Sequence, residues 1–379
     1  MNRKFLLPLL LVALLAAIAP SLGEGVFSAR EVAHRYARLE EVYEILREEY
    51  YEELDEDVLI TGAIRGMMDA VGDRYTYYYT PEEMAEEQTE IEGSYEGIGL
   101  LISADQDGNL VVLRVYEDSP ASEAGILAYD IITAVNGETV SAATEQEMNE
   151  AVEKIRASEN GTNLTLSREG EEYAVTLYKR VITMNRVYYE MLEGDIGYIA
   201  LFEFVGNDVE GFLEAEEYFK EQGATGLILD LRDNPGGMLD DVLAIADEIV
   251  PEGEILTIQD RYGNSDVFSA DAEYWDIPIV VLINGNSASA SEVLTGALKD
   301  HDRATVIGET SFGKGIVQTI HYFDSDGAGM QYTTGRYFTP SGSCIHDLGI
   351  EPDITVVADA GDPAASNQLQ AAIEYLLGG

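Results

Sequence analysis

One stretch constrains the chain more than any other: Pro278 to Gln318, PIVVLINGNSASASEVLTGALKDHDRATVIGETSFGKGIVQ. The apolar, β-branched run Ile279 to Ile283 predicts a buried strand. A turn of small residues follows, Asn284 to Ser291, and then a helical pattern from Glu292 to Lys299 with Val293, Leu294 and Ala297 on one side. A strand that passes into a helix through a serine-rich turn can present a nucleophile at the helix N-terminus, where free N–H groups and the dipole favour a developing oxyanion. Ser291, with Glu292 beside it, suits an N-cap. The physics of the turn leaves Ser287 and Ser289 open. Further on, Lys314 sits between two glycines ahead of a strand, Ile316 to Ile320, and four residues before Gln318. On an extended strand Lys314 and Gln318 share a face.

A serine hydroxyl needs a base to become a good nucleophile. The four histidines, His34, His301, His321 and His346, fall in no recognisable Ser-His-Asp pattern. Lysine can serve if it is neutral, and burial disfavours its charged form. Of the six lysines only Lys314 is flanked on both sides by glycine, which lets the backbone hold it in a tight cleft. Cys344, the single cysteine, rules out an intrachain disulfide, and no histidine motif supports it as a nucleophile. No His-Glu-x-x-His or similar metal constellation is present, and no cofactor is expected.

Length, 379 residues, suggests two or three domains. The formal net charge of −49 argues against nucleic acid as a partner, since phosphates would be repelled; it fits a solvated acidic face. Asn2-Arg3-Lys4 before the apolar run Phe5 to Ala19 is signal-peptide or membrane-anchor architecture over residues 1–25, with Ser21-Leu22-Gly23 as a cleavage site. Cleaved or retained, this segment places the remainder outside the cytoplasm.

Residues 28–90 carry helical periodicity through Val32, Tyr36, Leu39, Val42, Tyr43 and Leu46, with a second run after Asp55 and a start at Thr80-Pro81. Tyr75, Tyr77, Tyr78 and Tyr79 form a cluster best explained by packing. Residues 93–180 change to short strands: a hairpin at Asp107-Gly108-Asn109, then Leu110 to Val115 and Ile131 to Val135. From residue 187 strands and helices alternate, which predicts a mixed α/β core to residue 358. Residues 363–377 read as a closing helix, one use of which is a subunit interface in a homo-oligomer.

Three motifs in register carry a resemblance: Ser-Ala-Ser-Ala-Ser-Glu at 287–292, Phe-Gly-Lys-Gly-Ile-Val-Gln at 312–318 and Asp-Leu-Arg-Asp-Asn-Pro-Gly-Gly at 230–237, joined by Tyr337 to Asp353. Together they resemble the C-terminal processing (tail-specific) serine peptidases, which use a Ser–Lys dyad. The resemblance implies a ClpP/crotonase-like catalytic core. It also implies Ser289 as nucleophile, Lys314 as base and Gln318 as the group that orients the lysine. The Asn-Pro-Gly-Gly turn follows a strand end, so the N–H of Gly236 or Gly237, with that of Ala290, is assigned to an oxyanion hole. Residues 93–180 resemble a PDZ domain, whose Gly97-Ile98-Gly99-Leu100 would hold a peptide's C-terminal carboxylate in a backbone nest beside an exposed strand edge. One departure is Tyr129, which stands where that family usually has glycine. The expected partners are protein or peptide substrates with free C-termini. The competing readings are an inactive PDZ scaffold and a crotonase-like acyl-CoA enzyme; export opposes the latter.

Overall fold

The computed structural model describes residues 29–105, 108–116, 118–158, 161–168, 170–359 and 366–378. The signal or anchor segment 1–25, Asp107 of the expected hairpin turn and the first residues of the closing segment lie outside them. Two compact units divide between Thr80 and Pro81.

The first unit holds α1 (Ala29–Glu49), α2 (Glu56–Asp69) and the short strand β1 (Tyr77–Tyr79). The Asp55 carboxylate accepts from the N–H groups of Asp57 and Val58 and so starts α2. The Tyr77 and Tyr79 rings meet edge to face at 4.8 Å, with their hydroxyls 2.8 Å apart.

The second unit begins with α3 (Pro81–Glu92), whose first residue is the proline expected there. The β-rich part follows. The strand β2 (Ser94–Gly97) pairs with β9 (Arg180–Thr183), the strand that closes this segment. Between them β3 (Leu100–Ala104), β4 (Leu110–Val115), β5 (Ile131–Val135), β7 (Thr162–Arg168) and β8 (Glu171–Leu177) form an antiparallel sheet in the order β3-β4-β5-β7-β8, with β6 (Glu138–Thr139) beside β5. β3 is therefore an edge strand. Two helices complete the segment, α4 (Pro120–Glu123), started by Ser119, and α5 (Glu145–Arg156), started by Thr144. Alternate residues Leu110, Val112, Ile132, Leu164 and Leu166 fill the core. At the edge of that core Asp130 is 1% exposed. Burial acts to raise its carboxyl, but hydrogen bonds from Arg168, the Leu127 N–H and Tyr173 outweigh it and bring the pKa down to about 2. Next to it Tyr129 adopts φ 71° while 80% exposed. The tyrosine thus accepts the left-handed turn that a glycine would take without strain.

The α/β core is a six-stranded sheet in the order β10 (Val187–Leu192), β11 (Ile196–Leu201), β12 (Gly226–Asp230), β15 (Ile279–Ile283), β16 (Ala304–Gly308), β19 (Ile354–Thr355), parallel except for β10. Both faces are covered, which explains why β12 and β15 read as continuous apolar runs rather than alternating ones. Leu227, Leu229, Ile279, Val281 and Ile283 face a core shared with α6 (Asp208–Gln222), α7 (Leu239–Ile249) and α8 (Ala290–Asp300). Ile228, Val280, Leu282 and Ile307 face the closing helix α9 (Ser366–Gly378) through Ala372 and Ile373. A second, antiparallel sheet includes β13 (Gly253–Asp260), β14 (Ser265–Ala270), β17 (Ile316–Tyr322) and β18 (Gly329–Phe338). Among the described residues no helix is long and apolar enough to cross a membrane.

Candidate active site

The C-terminal ends of the neighbouring parallel strands β12 and β15 lead into the Asn-Pro-Gly-Gly turn and the serine turn. Loops at such strand ends are where sites in α/β sheets gather. Asn234, fully buried, joins the two turns. Its carbonyl accepts from the Ala288 N–H and from the Ser291 hydroxyl, both at 3.0 Å, and its Nδ2 donates to the Leu201 carbonyl at 2.8 Å. Asp233 adds a second tie, accepting from Asn284 Nδ2 at 2.9 Å and Asn286 Nδ2 at 2.7 Å.

The three serines separate in space. The Ser287 hydroxyl donates to the Leu231 carbonyl at 2.8 Å, and Ser291 donates to Asn234; both residues are fully buried. Ser289 is half-buried and adopts φ 55°, ψ −115°. A non-glycine residue in that region is strained, and the surrounding bonds hold it there. Its carbonyl accepts from the N–H groups of Glu292 and Val293 and from the Tyr337 hydroxyl at 3.1 Å. Burial first, then the nearby Glu292 charge, pushes Tyr337 well above its ordinary range, so the phenol keeps the proton it donates. The N-cap of α8 is Ser289, not Ser291 as the sequence suggests, because the helix starts two residues earlier and buries Ser291 in its first turn. All residues of α8 from Ala290 to Leu298 are buried, beyond the single apolar side expected.

Gly236 and Gly237 take positive φ, 106° and 147°. A side chain at Gly236 would stand 2.7 Å from Ser289 Cβ and 2.9 Å from the Ala290 nitrogen, so only glycine lets the turn approach the serine. The Gly236 N–H donates to Asn234 Oδ1 at 2.9 Å. Among the described residues the N–H groups of Gly237 and Ala290 have no acceptor.

Lys314 is half-buried in the loop before β17, and that strand carries a bulge between Val317 and Gln318. The strand alternation expected to link Lys314 with Gln318 is therefore interrupted; loop and bulge set their directions instead. Gln318 Nε2 donates to Thr333 Oγ1 at 3.3 Å. The flanking glycines have a specific use. A side chain at Gly313 would meet the Gly349 nitrogen at 2.9 Å, and one at Gly315 the His346 nitrogen at 2.6 Å. The lysine loop is thus pressed against the 345–350 segment, where the Asp347 N–H donates to the Gly313 carbonyl. The Phe312 N–H, in turn, donates to the Ser287 carbonyl at 3.0 Å. One residue missed as a site group is Glu292, although it lies in the serine motif. It is fully buried, accepting from Ser289 N at 2.9 Å, Lys314 N at 2.8 Å, Gly313 N at 2.7 Å and the Ser311 hydroxyl at 2.5 Å. Its spacing of three after the serine is a capping-box signal that marks the first bond alone.

In the β-rich part Gly97 ends β2, Ile98 is buried, Gly99 takes φ 85° and Leu100 opens the edge strand β3. The Tyr95 ring lies across Gly97, and the Gly99 N–H faces the Tyr95 oxygen. Burial, then Tyr116, pushes that phenol up to about 12, so it stays protonated near neutral pH.

A strained serine at a helix start, a glycine-flanked lysine and a separate antiparallel sheet in one chain fit a PDZ-bearing serine peptidase. Comparison with known proteins agrees. Residues 195–356 match Peptidase family S41, residues 111–167 a PDZ domain, and residues 22–83 the activating protease CtpB N-terminal domain. The carboxy-terminal-processing protease of Bartonella bacilliformis is 38% identical over 333 residues, covering 84% of this chain and 74% of that protein. The carboxy-terminal processing protease CtpA of Bacillus subtilis is 34% identical over 335 residues, 87% of this chain and 71% of that protein. A solved structure, the photosystem II D1 C-terminal processing protease, matches with TM-score 0.51 and 30% identity over 85% of this chain and 86% of that one. The chain belongs to peptidase family S41. It is a serine-type peptidase with a PDZ domain, and these relatives favour neither an acyl-CoA enzyme nor an inactive scaffold.

Proposed function

We propose that this peptidase cleaves proteins and peptides near free C-termini, outside the cytoplasm, with the PDZ domain holding the tail while Ser289 attacks upstream. Neutral Lys314 takes the Ser289 hydroxyl proton as Oγ bonds to the scissile carbonyl carbon. The N–H groups of Gly237 and Ala290 receive the oxyanion, since the Gly236 N–H is held by Asn234. Collapse breaks the C–N bond, the protonated lysine returns its proton to the departing amine, and water then hydrolyses the acyl-enzyme by the reverse use of the same groups. Gln318 orients the lysine from β17. Gly97, Ile98, Gly99 and Leu100 hold the carboxylate, and the free edge of β3 pairs with the tail. Export rests on the basic start and apolar run ahead of residue 25.

The observation that carries this reading is Ser289 itself, half-buried at φ 55° against Gly236, while Ser287 and Ser291 are buried and spent on backbone carbonyls. The test is Ser289→Ala incubated with an unstructured polypeptide. Cleavage is expected to vanish while circular dichroism and thermal melting match the wild type. Wild-type cleavage by the homogeneous variant overturns the assignment.

A further inference from the structure

Glu292 sits at the third position of α8, where a glutamate ordinarily bonds back to the N-cap and does nothing else. Here the same carboxylate reaches across to a second segment. One oxygen, Oε2, accepts from the backbone nitrogens of both Ser289 and Lys314. The other, Oε1, accepts from the Gly313 N–H and the Ser311 hydroxyl. The two residues of the proposed dyad, 25 positions apart in sequence, therefore meet at a single oxygen atom. The distances, 2.5 to 2.9 Å, are those of charge-assisted hydrogen bonds, and the residue is 0% exposed. Ser311 passes the tie onward by accepting from the Ile350 N–H at 2.7 Å, which joins the 345–350 segment to the same group.

We propose that Glu292 is the positioning residue of the catalytic pair: its carboxylate sets the separation and direction of Ser289 and Lys314 by holding both backbones. This rests on the Ser–Lys reading of the site. Glu292 touches neither substrate nor the proton in transfer; it acts through the two residues that do. A glutamine would fill the same space with one oxygen and one NH2 group. Its NH2 group would strand the Ser289 and Lys314 N–H groups if turned one way and the Gly313 N–H if turned the other, since it has no lone pair to offer. An aspartate would keep the charge but fall one methylene short, so it could serve one segment better than the other. A misplacement of about 1 Å between reacting groups costs about 100-fold in rate.

The experiment measures kcat and KM separately for Glu292→Gln and Glu292→Asp, using an unstructured polypeptide, with labelling of Ser289 by a fluorophosphonate as a second readout. Melting curves and tail-peptide binding by the full chain serve as controls. Glu292→Gln is expected to lose about 100-fold in kcat and in labelling rate, with KM and tail binding within about twofold of wild type. Glu292→Asp is expected to recover part of that loss. A folded Glu292→Gln enzyme with wild-type kcat overturns the proposal. If Glu292→Gln does not fold, Glu292→Asp decides: wild-type turnover overturns the proposal, and a fall in kcat at constant KM supports it. Ser289→Ala and Lys314→Ala, assayed in parallel, separate the two levels. If either keeps activity the Ser–Lys reading fails; if both are inactive while Glu292→Gln is normal, only the positioning role fails.

Discussion

Lysine and arginine are both cations with long stems, yet at position 314 they should behave as opposites. As the proposed base, the residue at 314 must lose its proton before it can take one from Ser289, and a guanidinium does not do so near neutral pH. Lys314→Arg is therefore expected to lower kcat by about 10²–10⁴-fold, the usual contribution of a positioned base, without unfolding the protein. Steady-state kinetics beside a thermal melt checks this, and a Lys314→Arg enzyme with near-normal turnover would exclude the dyad. Gln318→Ala should lose less, because in the proposed mechanism Gln318, bonded to Thr333 on a bulged strand, orients the lysine and transfers nothing. The residues of the proposed dyad were legible as types: a serine in a small-residue turn and a lysine between glycines are unusual company. Which serine was not legible from the turn's physics, and only the resemblance pointed to Ser289. That choice depends on the Leu231 and Asn234 carbonyls, more than fifty residues away in sequence, which take up the Ser287 and Ser291 hydroxyls.

At the scale of elements, strands that are buried on both faces announce themselves by composition, and β15 did so. Loop geometry does not, since it is set by contacts between segments: Gly313 against Gly349, Gly315 against His346, and the bulge in β17 that ends the simple alternation from Lys314 to Gln318. The start of α6 is another contact of this kind. Asp208 is fully buried there, and burial together with the neighbouring Asp241 pushes its carboxyl up to about 7 from the ordinary 3.8, against the N–H groups of its own helix start. The folded state thus holds this proton more tightly than the unfolded chain does. Its contribution to stability is fully present below the unfolded value near 3.8 and is lost as pH rises through about 7. Replacing Asp208 by Asn removes the penalty, so the variant should gain stability over wild type on going from about pH 4 to about pH 7, by at most ~1.4 kcal/mol per pH unit. Urea unfolding of both proteins at about pH 5 and about pH 8 measures the gap. A gap that is the same at both values, or larger at the acid one, contradicts the assignment.

Taken whole, the molecule is a strongly acidic peptidase that would receive the charged end of another chain, and these two facts pull against each other. The formal net charge of −49 repels a free carboxylate, and repels an acidic tail more. Binding then depends on local donors outweighing a distributed field. In the proposed reading those donors are the backbone N–H groups of Gly97 to Leu100, where Gly99 takes a left-handed φ of 85°. A hydrogen bond to a charged group contributes about 1.5–3 kcal/mol, and amidation of the tail removes the charge that makes each such bond strong. The field, in contrast, is long-ranged and screened, with a Debye length of about 8 Å at physiological ionic strength. The two contributions can be separated. Matched peptides with apolar tails, as free acid and as amide, should differ in binding to the full enzyme at every salt concentration, the acid binding more tightly. Acidic-tailed peptides should bind weakly at low salt and recover as salt rises, while apolar-tailed peptides respond less. Cleavage rates should follow the same order if the domain selects the substrate. Equal binding of acid and amide would remove the nest as the reading group, whereas a difference in binding with none in cleavage would leave the domain as a tether whose grip precedes, and does not decide, attack by Ser289.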